Sequence, residues 1–193
     1  MTGNNMKIGI LNSGGYNFNS IKFALNRLGI TNISYVKSED ELNTCDKIII
    51  PGVGHAKTAM DLLNLQNLTT VIKNTKKPVL GICLGMQIMC QFSEEGNVDC
   101  IGVFDKNIVR LPADVVTPQM GWNKLIGGKY DGKFVYFANS FYLPKCEFTE
   151  NYVDYCGIKI SAMIRKDNFL GCQFHPEKSG EIGEKILSDF VLL

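Results

Sequence analysis

The sequence contains no run approaching the ~20 apolar residues that a membrane-crossing helix needs, and no apolar segment of signal-peptide length near its start. A soluble, cytoplasmic protein is therefore expected. Charge of one sign is also missing: 20 Lys and Arg nearly balance 19 Asp and Glu, leaving a net charge of +1. That balance excludes a basic surface built for nucleic acid or lipid as the dominant feature. The seven cysteines are odd in number and none is spaced C-x-x-C, so no disulfide framework is expected and the compartment reads as a reducing one. The triplets at Asn32 and Asn67 match a glycosylation acceptor but carry no weight without an export signal. Neither G-x-G-x-x-G nor G-x-x-x-x-G-K-[ST] occurs, which removes the common phosphate-cradling loops. Linkers, low-complexity runs and internal repeats are absent too, and neither a metal nor a cofactor is expected.

What remains is an ordinary globular composition: 193 residues, 45% apolar and 20% charged. A chain of that length builds one domain with a core of its own. Residues 6–193 read as that domain, and residues 1–5 as an extension or expression scar. Short apolar runs at 7–11, 33–36, 47–50 and 78–83 alternate with helical patterns, one opened by Asn19 as its cap and closed by Gly29. Residues 12–15 (Asn-Ser-Gly-Gly) form a turn after the first run. Residues 56–75 are helical, with a break near Asn64 to Asn67, and Leu84 to Phe92 reads as a further helix. Strands alternating with helices imply a mostly parallel sheet covered on both faces. The last third is richer in strands: 133–143, then a hairpin of 158–165 and 169–174, with a closing helix from about Gly180.

Chemistry concentrates at three places. Gly81-Ile-Cys83-Leu-Gly85 joins a buried strand to a helix, the sharp turn that carries an exposed nucleophile, here with cysteine as the nucleophile. Side chains two positions either side would collide across the bend, hence the glycines. The helix beginning at Leu84 directs its N-terminus at the sulfur, and its first amide faces a developing oxyanion. Cys90, Cys100 and Cys172 read instead as buried structural thiols. The second place is His175-Pro-Glu177: a thiol needs a base, the base needs an orienting carboxylate, and residues two apart in an extended segment project to one side. His55, the only other histidine, is the rival base but lacks a carboxylate at useful spacing. The third is Pro51-Gly52-Val53-Gly54, a strand-ending loop whose amides can approach a bound oxyanion on the same sheet edge.

Gly-Ile-Cys-Leu-Gly-Met-Gln at 81–87 and Gln-Phe-His-Pro-Glu at 173–177 resemble the class I, triad-type glutamine amidotransferases. With Pro51-Gly-Val-Gly54, Met120-Gly-Trp-Asn123 and the Lys178-Ser179 that follows Glu177, the likeness extends to the glutaminase subunits of imidazole glycerol phosphate synthases, from about Met6 to Leu193. The resemblance implies a flavodoxin-like α/β fold and hydrolysis of glutamine, with ammonia channelled to a (β/α)₈-barrel synthase subunit as partner. Residue by residue it implies Cys83 as nucleophile, His175 as acid/base and Glu177 as its orienter, with Val53 and Leu84 amides as the oxyanion hole. It implies glutamine contacts from Gly52, Gln87, Glu95 and the main chain at Ser140 and Phe141. Met120, Trp122, Asn123, Tyr136 and Lys178 would face the synthase subunit, although core packing is an equally open role for Trp122. The segment Tyr136-Phe-Ala-Asn139-Ser-Phe141 departs from the family's usual Tyr-Phe-Val-His-Ser-Tyr, and Asn12-Ser-Gly-Gly15 lacks an aspartate that many members carry. These departures leave open a paralogous subunit that feeds ammonia to a surface-sugar synthase.

Overall fold

The computed structural model describes residues 6–14 and 17–193. Strand β1 (Ile8–Leu11) leads to helix α1 (Phe18–Arg27), followed by β2 (Ile33–Val36), α2 (Glu39–Asn43) and β3 (Lys47–Ile50). Next come α3 (Ala56–Leu65), α4 (Leu68–Asn74), β4 (Val79–Ile82) and α5 (Leu84–Gln87). Six short strands occupy the middle: β5 (Phe92–Ser93), β6 (Val98–Asp99), β7 (Asn107–Arg110), β8 (Gln119–Lys124), β9 (Phe134–Asn139) and β10 (Phe141–Tyr142). The chain closes with β11 (Thr149–Tyr155), β12 (Ile158–Lys166), β13 (Phe169–Cys172), a 3₁₀ turn at Pro176–Lys178, and α6 (Gly180–Val191).

The central sheet has seven strands in the order β11-β12-β13-β4-β3-β1-β2. The five from β13 to β2 run parallel, whereas β12 and β11 are antiparallel additions at one side. Strands β1, β3, β4 and β13 are buried at every position, as strands covered on both faces must be. Alternation sends Ile49, Leu80 and Ile82 to a core shared with α1 and α6, while Ile48, Ile50 and Val79 join the core beneath α3 and α4. The β8–β9 hairpin lies over the first of these cores, anchored by Val135, by Phe137 and by an edge-on contact of Phe137 with Phe174, their ring centroids 5.8 Å apart.

Several expectations need correction. Helix α1 begins at Phe18 after Asn17, so Asn19 lies exposed in its first turn and does not cap it; Gly29, at φ 79°, does end it. Gly15 of the expected turn and the extension 1–5 lie outside the described residues. The helix expected from Leu84 to Phe92 stops at Gln87. Residues Leu84 to Cys90 are buried on every side, so their apolar run carried no helical stripe, and it turns into β5 through short bonds from Met89 to Met86 and Cys90 to Gln87. Strands β8 and β11 and helix α2 carried too few patterned residues to be expected at all. The break between α3 and α4 falls where it should, with Asn67 in the left-handed region at φ 56°.

Backbone proximity is the strongest local constraint. A Cβ on Gly85 would sit 2.0 Å from the carbonyl oxygen of Ile50, and one on Gly52 would sit 1.9 Å from that of Ile82. The ends of β3 and β4 thus interlock through two glycines. Gly85→Ala is expected to destabilise the protein by about 3 kcal/mol, because rigid main chain has to move. Urea unfolding of the variant against wild type measures this, and an unchanged midpoint would refute the interlock.

Candidate active site

Four loops leave the carboxyl ends of β1, β3, β4 and β13, the edge of a parallel sheet where ligands bind. The β4 loop presents Cys83 at φ 50° and ψ −107°, a conformation that a side chain seldom adopts and that costs on the order of 1–3 kcal/mol. Both flanking glycines are needed, since a Cβ on Gly81 would meet the Gly85 carbonyl oxygen at 2.6 Å. The expected long helix behind the sulfur is a single turn, which leaves little macrodipole at its N-terminus.

The loop after β13 supplies the partner of the sulfur. His175 is buried, its amide donates to the Tyr136 carbonyl at 2.9 Å, and its Nδ1 lies 2.8 Å from Glu177 Oε1. Glu177 reaches it from the 3₁₀ turn and not along an extended strand as expected; the turn folds the carboxylate back under the ring. Ser179 Oγ accepts from the Tyr136 amide at 3.0 Å and donates to the His175 carbonyl at 2.7 Å, which ties this turn to β9. Burial disfavours the charged imidazole, but hydrogen bonds to Cys83 and Glu177 outweigh it and push His175 up to about 10. Burial likewise opposes ionisation of Glu177, and the bonds from His175 and Asn17 overcome it and hold the carboxyl below its ordinary value. The imidazole therefore lies between a sulfur and a carboxylate that both favour its protonated form.

Asn17 was not found from the sequence. Its Nδ2 donates to the same Glu177 oxygen at 2.5 Å across 160 residues of chain. No local spacing links the two residues, and only the shared sheet edge brings them together. His55, the rival base, is exposed at the start of α3, with its ring against Gly96, and does not line the cavity beside Cys83.

That cavity has a volume of about 380 Å³. Its walls bring together Gly52, Val53, Cys83, Leu84, Gln87, Glu95, Ser140, Phe141, His175, Lys178 and Met120, all expected, with Gly54, Pro118, Ala138 and Asn139 added. Gln87 is buried, and its Nε2 donates to the Phe141 carbonyl at 2.8 Å and to Gln173 Oε1 at 2.9 Å. Glu95 spends one oxygen on the Ala56 amide at the start of α3, 2.8 Å away. Met120 and Trp122 are 66% and 55% exposed, which removes core packing as the role of Trp122; its indole meets Tyr136 edge-on, and Asn123 bonds locally to Gly121. Cys90 and Cys172 are buried as expected, but Cys100 is only half-buried. Among the described residues no cluster could hold a metal ion, and no helix is long and apolar enough to cross a membrane.

The family profile of class-I glutamine amidotransferases matches residues 10–193. This chain is a class-I glutamine amidotransferase. It is 44% identical to the protein named "Imidazole glycerol phosphate synthase subunit HisH" of Bacteroides fragilis strain YCH46, over 97% of this chain and all of that one. A protein of the same name from Bacteroides thetaiotaomicron is 43% identical, covering 96% and 99% of the two chains. The "HisH 2" subunit of Campylobacter jejuni strain RM1221 is 42% identical, covering 96% and 98%. Among solved structures, a glutamine amidotransferase superposes with a TM-score of 0.78 at 18% identity, over 96% and 97% of the chains. PurLQS from Thermotoga maritima does so at 0.74 and 19%, over 97% and 98%. These two likenesses concern the fold, and they agree with the mostly parallel, helix-flanked sheet of this amidotransferase.

The two opposing influences on His175 make its titration testable. Cys83→Ala leaves burial opposed by Glu177 alone, so the imidazole pKa should fall from about 10 towards the ordinary histidine range. NMR of the ring nitrogens across a pH series reads this directly, and an unchanged midpoint would mean that the sulfur does not hold the ring charged.

Proposed function

We propose that this amidotransferase is the glutaminase subunit of an imidazole glycerol phosphate synthase, acting through a glutamyl thioester on Cys83. The observation that carries the chemistry is the buried Cys83–His175–Glu177 row at the wall of a cavity sized for an amino acid. The likeness to subunits of that synthase over nearly the whole chain supports the pathway.

The substrate's two ends meet different atoms. The α-ammonium needs acceptors, and Gln87 Oε1 and the second oxygen of Glu95 are left for it once their other atoms are engaged. The α-carboxylate needs donors; the carbonyls of Ser140 and Phe141 already accept from Leu111, Gln87 and Asn139, so main-chain N–H groups at this edge serve it. Cys83 Sγ attacks the side-chain carboxamide carbon, and the oxyanion lies against the amides of Leu84 and Val53, beside Gly52. His175 then gives its proton to the leaving nitrogen, the C–N bond breaks, and ammonia departs from the thioester. Next it takes a proton from water, whose oxygen attacks the thioester; glutamate leaves and the thiolate returns. Glu177 keeps the imidazole oriented throughout.

Ammonia then passes to a (β/α)₈-barrel synthase subunit in a cytoplasmic heterodimer. Met120, Trp122 and Phe134, more than half exposed on the outer face of the β8–β9 hairpin, supply the apolar part of its docking surface, with Tyr136 and Lys178 around it, whereas Asn123 pairs with core-facing Val135 on the opposite face. In the Pro51–Gly54 loop, Gly52 is present for close approach to Ile82, whereas Gly54, at φ 144°, gives the freedom to turn the half-exposed Val53 amide towards or away from the oxyanion. Docking of the partner selects the inward state.

Cys83→Ala should abolish glutamate release while the assembled pair still uses free ammonia, and His175→Asn should cost more turnover than Glu177→Gln. Steady-state glutamate production checks both, and a reversed order of severity would overturn the roles assigned to the pair. The isolated chain should be slow and should accelerate at least about tenfold with the barrel and a substrate analogue, since one oxyanion donor is worth about 10²–10³. Full activity in isolation would refute the switch, and indifference to that barrel would point to another ammonia acceptor.

A further inference from the structure

Behind Cys83 lies a row of buried side-chain amides. Gln173 has no exposed surface and Gln87 is 4% exposed, and the two are joined at 2.9 Å. Which end of each amide points where is settled by one main-chain atom. The Phe141 carbonyl oxygen can only accept, so the group 2.8 Å from it must be Gln87 Nε2. The second N–H of that nitrogen then faces Gln173, which must present Oε1. Gln173 Nε2 is left pointing at Cys83 Sγ, 3.6 Å away. We infer that Gln173 is a second partner of the nucleophile: its Nε2–H donates to the sulfur while its Oε1 accepts the other N–H of Gln87 and braces the orientation that the Phe141 carbonyl sets, with Gln87 Oε1 towards the cavity. One residue thereby links the reacting atom to the group that receives the substrate's ammonium.

The link has a physical consequence at each end. A donor aimed at sulfur stabilises the thiolate more than the thiol, since bonds to an ionised acceptor are the stronger ones. The thiol's competing contact, from Sγ to the Ala138 carbonyl, is longer at 3.9 Å. At the other end, a Gln87 amide free to flip would offer N–H groups to an ammonium and repel it.

The inference rests on the glutaminase reading for its substrate end only, so two measurements separate the cases. The first is the rate at which iodoacetamide alkylates Cys83 against pH, followed peptide by peptide by mass spectrometry. Protection of buried Cys90 and Cys172 reports that each variant stays folded. The other titratable groups around the sulfur are common to all variants: His175 with Glu177 behind it on the 3₁₀ turn, Glu95 and Lys178 at the cavity, and Cys172, whose thiol burial keeps well above its ordinary value. Gln173→Met loses both bonds. Its Cys83 should react about tenfold more slowly at neutral pH, with the profile displaced upwards, and KM for glutamine should rise. Gln173→Glu keeps the acceptor for Gln87 and loses the donor to sulfur. It should slow alkylation at least as much and lower kcat, while KM stays near wild type. Wild-type alkylation profiles in both folded variants would overturn the assignment, whatever glutamate release shows. If neither variant folds, wild-type NMR decides: the Gln173 side-chain amide protons shift when Cys83 is changed to Ala, and no shift overturns the contact.

Discussion

Everything at this site depends on main chain touching main chain where β3 and β4 end. Gly52 lies against the Ile82 carbonyl and Gly85 against that of Ile50, in each case closer than any Cβ allows. The first contact brings the Pro51–Gly54 loop up to Cys83; the second pulls the start of α5 back beneath β3. With the chain held on both sides, Cys83 has no route between strand and helix except a left-handed one. Its strain is offset by the surrounding parallel sheet, whose central strands are buried at every position.

A second constraint is electrostatic. An imidazole and a carboxylate are buried together beneath the hairpin, which is expensive unless each finds partners. The fold supplies them from distant places: Asn17 after β1 for Glu177 and Cys83 for the imidazole, while the Tyr136 carbonyl and Ser179 hold the main chain of the turn to β9. The hairpin that carries Trp122 outward therefore also holds the His175–Glu177 turn inward, through the Tyr136 carbonyl and amide.

The elbow and the His-Pro-Glu segment were legible in the sequence because the physics behind them is local. Glycines two either side of a nucleophile, and apolar runs ending at turns, express their meaning within a few residues. Gln87 and Glu95 were legible only as members of a resembling motif; their orientation was not, since it follows from the Phe141 carbonyl and the Ala56 amide. The helix after Leu84 was overextended because a segment buried on all sides has no stripe to show where helix stops.

The sequence by itself determined β1 to β4 with α1, α3 and α4 beside them, the strained turn at Cys83, and the chemical kinds of group available. It did so because propensity, turn chemistry and apolar periodicity act over short separations. Only the tertiary structure decided which groups meet. Asn17 on Glu177, Gln173 on the sulfur, the exposure of Trp122 and the exclusion of His55 all join or separate residues far apart in the chain. Their contacts exist only once the parallel sheet has stacked its carboxyl ends along one edge, and the spacing of these residues does not record which of them meet there.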